Sequence, residues 1–171
     1  MAKATANCTC ATCGAKYTVT NTLRNRRDAD SWKEWAESHM CECTDCFRAR
    51  RNAGLAEEAE PLIKKYQLPE ITGKSEKQIN YAAMLRNAYL ADFADVYYPD
   101  IDRITSTLSD PDKLRQLLAE YPEDFPGVDA GTPLNLIISR YLLTKYPSSL
   151  YTAYKLRRES DAGKIIDLLK Y

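Results

Sequence analysis

The chain has 171 residues, with 24 Lys/Arg against 24 Asp/Glu and a formal net charge of zero. That balance argues against a protein held on nucleic acid by bulk charge alone. No apolar run approaches the roughly 20 residues that a membrane span requires. The length allows one ordinary domain, or a small module joined to a helical one.

The charge is unevenly spread. Residues 1–55 hold 9 Lys/Arg against 6 Asp/Glu, and the remainder is correspondingly acidic, so the two parts stand near +3 and −3. No stretch has the pattern of a signal peptide, and closely spaced thiols suit a reducing compartment. The expectation is a cytoplasmic protein, and a monomer.

All 6 cysteines fall in two copies of one spacing, Cys8-x-Cys10-x-x-Cys13 and Cys41-x-Cys43-x-x-Cys46. Two thiolates separated by two residues reach one metal from a single tight turn, and a second turn supplies the other half of a tetrahedron. Cys10, Cys13, Cys43 and Cys46 are therefore the expected ligands of one structural zinc. Cys8 and Cys41 are left over. They are read as free thiols packed beside the knuckles, with a second zinc, an exchange of Cys8 for Cys10, or a mutual disulfide as alternatives. His39, the only histidine, is read as a surface or helix-end residue.

Between Cys13 and Cys43 lie 29 residues, more than the common spacing of roughly 15–20, so the insert should carry structure of its own. Gly14 follows the second cysteine where a left-handed backbone turns amides toward the sulfurs. Lys16–Thr20 alternates and is β-branched, which predicts a short strand. Asp28 or Asp30 is the expected cap of a helix whose Trp32, Trp35 and Ala36 share a face and would cover the metal site.

From Phe47 onward the pattern is helical. A helix is expected to start as early as the second knuckle and to be interrupted by Pro61 and Pro69. Ser75-Glu76-Lys77-Gln78 fits a capping box, and Ile79, Ala82, Leu85, Tyr89, Phe93 and Val96 then step by three or four residues up to Pro99. Asp110-Pro111 and Thr132-Pro133 are further helix starts, the second leading to Ile137, Ile138 and Leu142. A last helical stretch from Leu150 to Leu169 should break near Ser160–Gly163. The fold class is therefore mainly α: an N-terminal four-cysteine zinc ribbon, a short β-hairpin plus helix over 1–53, joined to a bundle of about five helices over 54–171.

Gly73-Lys74-Ser75 has the ending of a phosphate-binding P-loop, but Leu68 stands where its first glycine belongs and no strand precedes it, so a helix cap explains these residues. Acidic pairs occur at Asp92/Asp95, Asp100/Asp102, Asp110/Asp112 and Glu123/Asp124. Hydrolysis would need carboxylates converging in a pocket or a metal with an open position, and a four-thiolate zinc is closed. No catalytic residue is assigned. Arg24, Arg26 and Arg27 together with Arg48, Arg50 and Arg51 form the basic clusters. If the knuckles meet at one metal, both clusters should lie near the same end of the module, as a phosphate patch or a clamp on an acidic protein. Tyr97, Tyr98, Tyr146, Tyr151 and Tyr154 lie near predicted helix ends, and those exposed would suit a protein interface.

The segment Arg24-Asn25-Arg26-Arg27-Asp28-Ala29-Asp30-Ser31-Trp32-Lys33-Glu34-Trp35-Ala36, set between two Cys-x-x-Cys pairs, resembles small zinc-ribbon proteins of phages and mobile elements in gut bacteria. Thr72-Gly73-Lys74-Ser75-Glu76-Lys77-Gln78 followed by Tyr81-Ala82 is similar to their Thr-Gly-Ser-Glu-Lys-Gln…Trp-Ala element, with Lys74 inserted and Tyr81 in place of tryptophan. Ala162-Gly163-Lys164-Ile165-Ile166-Asp167 is similar to a tail element that normally carries aromatics. Some proteins of this kind are anti-CRISPR inhibitors of type II effector nucleases. The resemblance implies a non-catalytic inhibitor that binds such a nuclease and blocks its DNA targeting. The alternative is a nucleic-acid-binding zinc-ribbon adaptor in phage replication or transcription.

Overall fold

The computed structural model describes residues 1–129 and 131–170. The chain divides into two compact units, Met1–Gly54 and Leu55–Tyr171. The first is built from strands β1 (Ala2–Thr9) and β2 (Lys16–Leu23), helix α1 (Arg26–His39) and the start of helix α2 (Thr44–Lys65). The second takes the end of α2, then α3 (Glu76–Ser109), α4 (Pro111–Glu120), a single 3-10 turn over Pro122–Asp124, α5 (Leu134–Lys145), α6 (Ser148–Leu156) and α7 (Ala162–Leu169).

In the first unit β1 and β2 pair antiparallel, from Ala2 opposite Leu23 at the open end to Thr9 opposite Lys16 at the cysteine turn. The period-2 alternation sorts the side chains. Ala4, Ala6 and Cys8 are buried under α1, whereas Thr5, Asn7 and Thr9 face outward. Alanines on this face let the helix approach closely, and α1 answers with its own Ala29 and Ala36, both buried. The resulting core of Ala6, Cys8 and Ala36, with Tyr17, Val19, Trp32 and Met40 around it, is small. A core of that size does not hold a 54-residue unit by apolar burial alone.

Three details of this unit differ from expectation. The cap of α1 is Asn25, whose side chain accepts from the Asp28 N–H at 2.9 Å; the helix therefore starts a turn before Asp28 and Asp30 could cap it. The inward stripe is Ala29, Trp32 and Ala36. Trp35 is 51% exposed and stacks on His39 rather than covering the cysteines.

The second unit is a helical bundle. Its main core gathers Leu90, Ala94, Tyr98 and Ile101 of α3 with Ile138 and Leu142 of α5 and Leu150 and Tyr154 of α6. A second cluster packs Ala82 against Leu156, Ala162 and Ile165. Each fully buried isoleucine or leucine contributes about 2 kcal/mol. Neither Pro61 nor Pro99 ends its helix: α2 runs to Lys65 and α3 to Ser109. Both prolines are exposed, so the carbonyl each leaves without a helical partner faces water. The buried stripe of α3 is Ala82, Arg86, Leu90, Ala94 and Tyr98, one step round from the predicted one, which leaves Phe93 and Val96 on the surface. Arg86 belongs to this face because its Nη1 donates to the Pro69 carbonyl at 2.7 Å. The Asp110-Pro111 start is present, with Asp110 accepting from the Asp112 and Lys113 amides. Thr132 instead closes a loop onto Asp129, and α5 begins without a side-chain cap.

Thr72 lies beside Asp161 as a one-residue parallel bridge, with Thr72 N–H donating to Ser160 O and Ala162 N–H to Thr72 O. Gly73 is pressed against Ala162. The P-loop-like residues thus seat the entry of α3 on the start of α7, with Ser75 as the cap.

Candidate metal centre

The hairpin turn and the start of α2 bring four sulfurs together. Cys10 leaves the end of β1, and its N–H donates to Ala15 O at 2.9 Å across the turn. Gly14, at φ +72, closes the knuckle by donating to Cys10 O at 2.8 Å; this is the left-handed backbone that favours glycine. Cys43 directly precedes α2 and Cys46 sits in its first turn, where the unpaired helical amides favour negatively charged sulfur.

Two hydrogen bonds fix one knuckle against the other. Ala11 N–H donates to Cys41 O at 2.7 Å, and the Tyr17 hydroxyl donates to Met40 O at 2.8 Å. Both act on the two residues that lead into the second Cys-x-x-Cys. Sequence reasoning missed this clamp; its only sequence signal is a tyrosine on the inward face of the strand that leaves the first knuckle.

The Sγ atoms of Cys10, Cys13, Cys43 and Cys46 all lie within 4.8 Å of one another, and those of Cys13 and Cys43 are 3.8 Å apart. A tetrahedral ion with metal–sulfur bonds of about 2.3 Å requires sulfurs about 3.8 Å apart. The donor set therefore fits a four-thiolate ion. The protonation energetics agree. Backbone N–H groups of Cys43, then Cys13 and Thr12, bring the buried Cys10 thiol down to about 6 against the opposing effect of burial. Thiol hydrogen bonds from Cys13, Cys43 and Cys10, together with burial, push Cys46 up. Four sulfurs this close cannot all ionise without a cation among them, and a divalent ion removes that conflict.

Cys8 and Cys41 stand outside the set. Cys8 is buried in the small core, its thiol directed at Ala36 O at 3.6 Å, and Cys41 is exposed. Among the described residues all six cysteines are free thiols. His39 ends α1 on the surface, its Nδ1 beside Ser38 Oγ and Trp35 O.

The arginines do not form one patch. Arg24 follows β2, and Arg26 and Arg27 open α1, all at the open end of the hairpin; Arg48, Arg50 and Arg51 follow the second knuckle on α2. Seven residue steps of strand, about 23 Å, separate the two ends, which corrects the expectation that both clusters share one end. Arg50 is moreover tied to Glu42 at 2.9 Å and lies over the Phe47 ring.

Each acidic pair of the second unit has at least one carboxylate engaged by a cation. Asp95 faces Lys65, Asp100 faces Arg103, Asp102 meets Arg157, Asp112 meets Arg115, and Asp124 meets Lys145. Tyr98 and Tyr154 are core residues, and Tyr97, Tyr146 and Tyr151 are half-buried; among the described residues the exposed tyrosines are Tyr81 and Tyr121 instead. Among the described residues no helix is long and apolar enough to cross a membrane. No protein-family model matches the chain, and no curated protein or solved structure matches it either.

Proposed function

We propose that the protein is a non-catalytic binding protein whose amino-terminal unit is held in shape by one zinc ion on Cys10, Cys13, Cys43 and Cys46. The observation that carries this reading is the convergence of four sulfurs within 4.8 Å of one another. Zinc is the ion of choice because it accepts four thiolates in a tetrahedron, and a site so filled has no open position for substrate or water. The ion's work is to supply the stability that the alanine-lined core lacks.

The specific partner in this reading is a type II CRISPR effector nuclease, as the resemblance implies, with the protein acting as a monomeric inhibitor in the host cytoplasm. Such a nuclease holds nucleic acid in a positively charged channel, and the second unit, near −3, has the sign to dock beside it. Elemental analysis with native mass spectrometry tests the first statement: one zinc per monomer is expected. A DNA-cleavage assay tests the second, and undiminished cleavage at inhibitor excess removes the nuclease as partner.

One observation favours a second reading, a nucleic-acid-binding adaptor. Residues 1–27 carry Lys3, Lys16, Arg24, Arg26 and Arg27 and no Asp or Glu.

A further inference from the structure

We infer that the outer face of the β1–β2 hairpin docks on double-stranded DNA, entering its major groove as a two-stranded ribbon. This deepens the second of the two readings above and is independent of the nuclease partner named in the first. The face consists of the residues that alternate away from α1, and all of them are exposed. Lys3 stands at the open end and Lys16 at the cysteine end, about 20 Å apart along the ribbon. Between them lie Asn7 and five threonines, paired in register: Thr5 with Thr20, Asn7 with Thr18, Thr9 with Lys16 and Thr22 with Lys3.

Three properties of this face select the occupant. First, its charge is of one sign. The acids of the unit begin at Asp28, and lie on α1 or close to the second knuckle. Glu37, which reaches β1, takes the backbone N–H of Asn7 at the strand edge. Second, hydroxyl and amide groups with two lysines are what phosphate contacts and groove-edge hydrogen bonds employ, and a threonine methyl suits the methyl group of thymine. An apolar protein partner would gain almost no buried surface here. Third, the face carries no aromatic ring, because Tyr17 points to the α1 side. Single strands are bound by stacking bases on aromatic platforms, which this ribbon does not offer. The deep, narrow major groove of duplex RNA excludes side chains, whereas that of B-DNA, about 12 Å wide, admits a two-stranded ribbon.

The zinc site belongs to this arrangement. It closes the turn end of the ribbon and so fixes the twist and register on which a lone hairpin of two eight-residue strands could not rely by itself.

The test uses the full chain, loaded with zinc, and a short labelled DNA duplex, without any nuclease. Fluorescence anisotropy at about 50 mM salt should show binding that weakens steeply toward 200 mM, with a log–log slope no steeper than about −4.5 if all five cations of residues 1–27 pair with phosphates. Lys3→Glu with Lys16→Glu should weaken binding at least tenfold. Lys33→Glu with Lys77→Glu, the same charge change at exposed positions outside this face, should cost less than threefold. If the first double variant loses zinc, Thr5→Asp, mid-ribbon and away from the ligands, should still cost several-fold. The inference is overturned by no binding at low salt, by equal losses in the two double variants, by single-stranded DNA or duplex RNA binding as tightly as duplex DNA, or by polyglutamate binding as tightly, which would mark an acidic protein. Failure here leaves the nuclease reading standing, since that rests on inhibition of cleavage.

Discussion

The Sγ atoms of Cys13 and Cys43, 30 positions apart in the chain, lie 3.8 Å from each other without a covalent bond. That separation suits two corners of a four-thiolate tetrahedron, and under the proposed zinc assignment the first unit depends on the ion held there. Structural zinc contributes on the order of 10 kcal/mol in small metal-held modules. Cys13→Ser, or a strong chelator, should therefore strip the ion and unfold the hairpin and α1, while α3–α7 stay folded. Hydrogen exchange checks this: amides of residues 2–39 should lose protection and those of α3 should keep it. Retained zinc in Cys13→Ser would refute the ligand assignment.

Cys8 provides the matched control. It has the same spacing to Cys10 as Cys41 has to Cys43, yet its thiol lies in the core against Ala36. Cys8→Ala should leave one zinc per chain and lower the stability of the unit by about 1 kcal/mol through lost packing. Loss of zinc in that variant would place Cys8 among the ligands.

The legible and illegible parts of this fold divide by the kind of signal each residue carries. Cys10, Cys13, Cys43 and Cys46 could be selected from spacing because metal geometry admits few alternatives. The Asp110-Pro111 start was legible because both residues act locally on their own backbone. Pro61 and Pro99 misled because a proline's cost depends on whether the carbonyl it orphans meets water, which only the folded helix decides. Arg86 hid the true inward stripe of α3: a charged residue on a buried face breaks the apolar periodicity, and its partner, the Pro69 carbonyl, leaves no mark in the sequence. Trp35 reads as inward from sequence because it is large and apolar, although α1 packs through its alanines.

Gly73 has no room for a side chain. A Cβ there would stand 3.0 Å from Ala162 Cβ and 3.1 Å from Ile79 Cγ1, where the entry of α3 meets α7. Gly73→Ala should push these elements apart and destabilise the second unit by about 1–3 kcal/mol. Gly54, inside α2, has open space around its Cβ position. Gly54→Ala should raise stability by up to about 1 kcal/mol through helix propensity. Thermal melts of the two variants should therefore move in opposite directions, and a neutral Gly73→Ala would show that the contact relaxes without cost.

Asp110 links the C-terminus of α3 to the N-terminus of α4, and its charge makes that link pH-dependent. The Lys113 amide, then the Asp112 amide and the Lys113 ammonium, hold its carboxyl below the ordinary value of 3.8 despite some desolvation. A carboxylate depressed in the folded state contributes stability that is fully present above its unfolded value. The contribution is lost as pH falls through the lower, folded value. Asp110→Asn keeps a capping oxygen but not the charge. It should melt below the wild type at about pH 6, and the gap should close as pH falls to about 2. Asp110→Ala, which removes the oxygen as well, should melt lower than Asp110→Asn across the same range. A gap between wild type and Asp110→Asn that does not change with pH would show that the ionised carboxylate gains nothing from these amides.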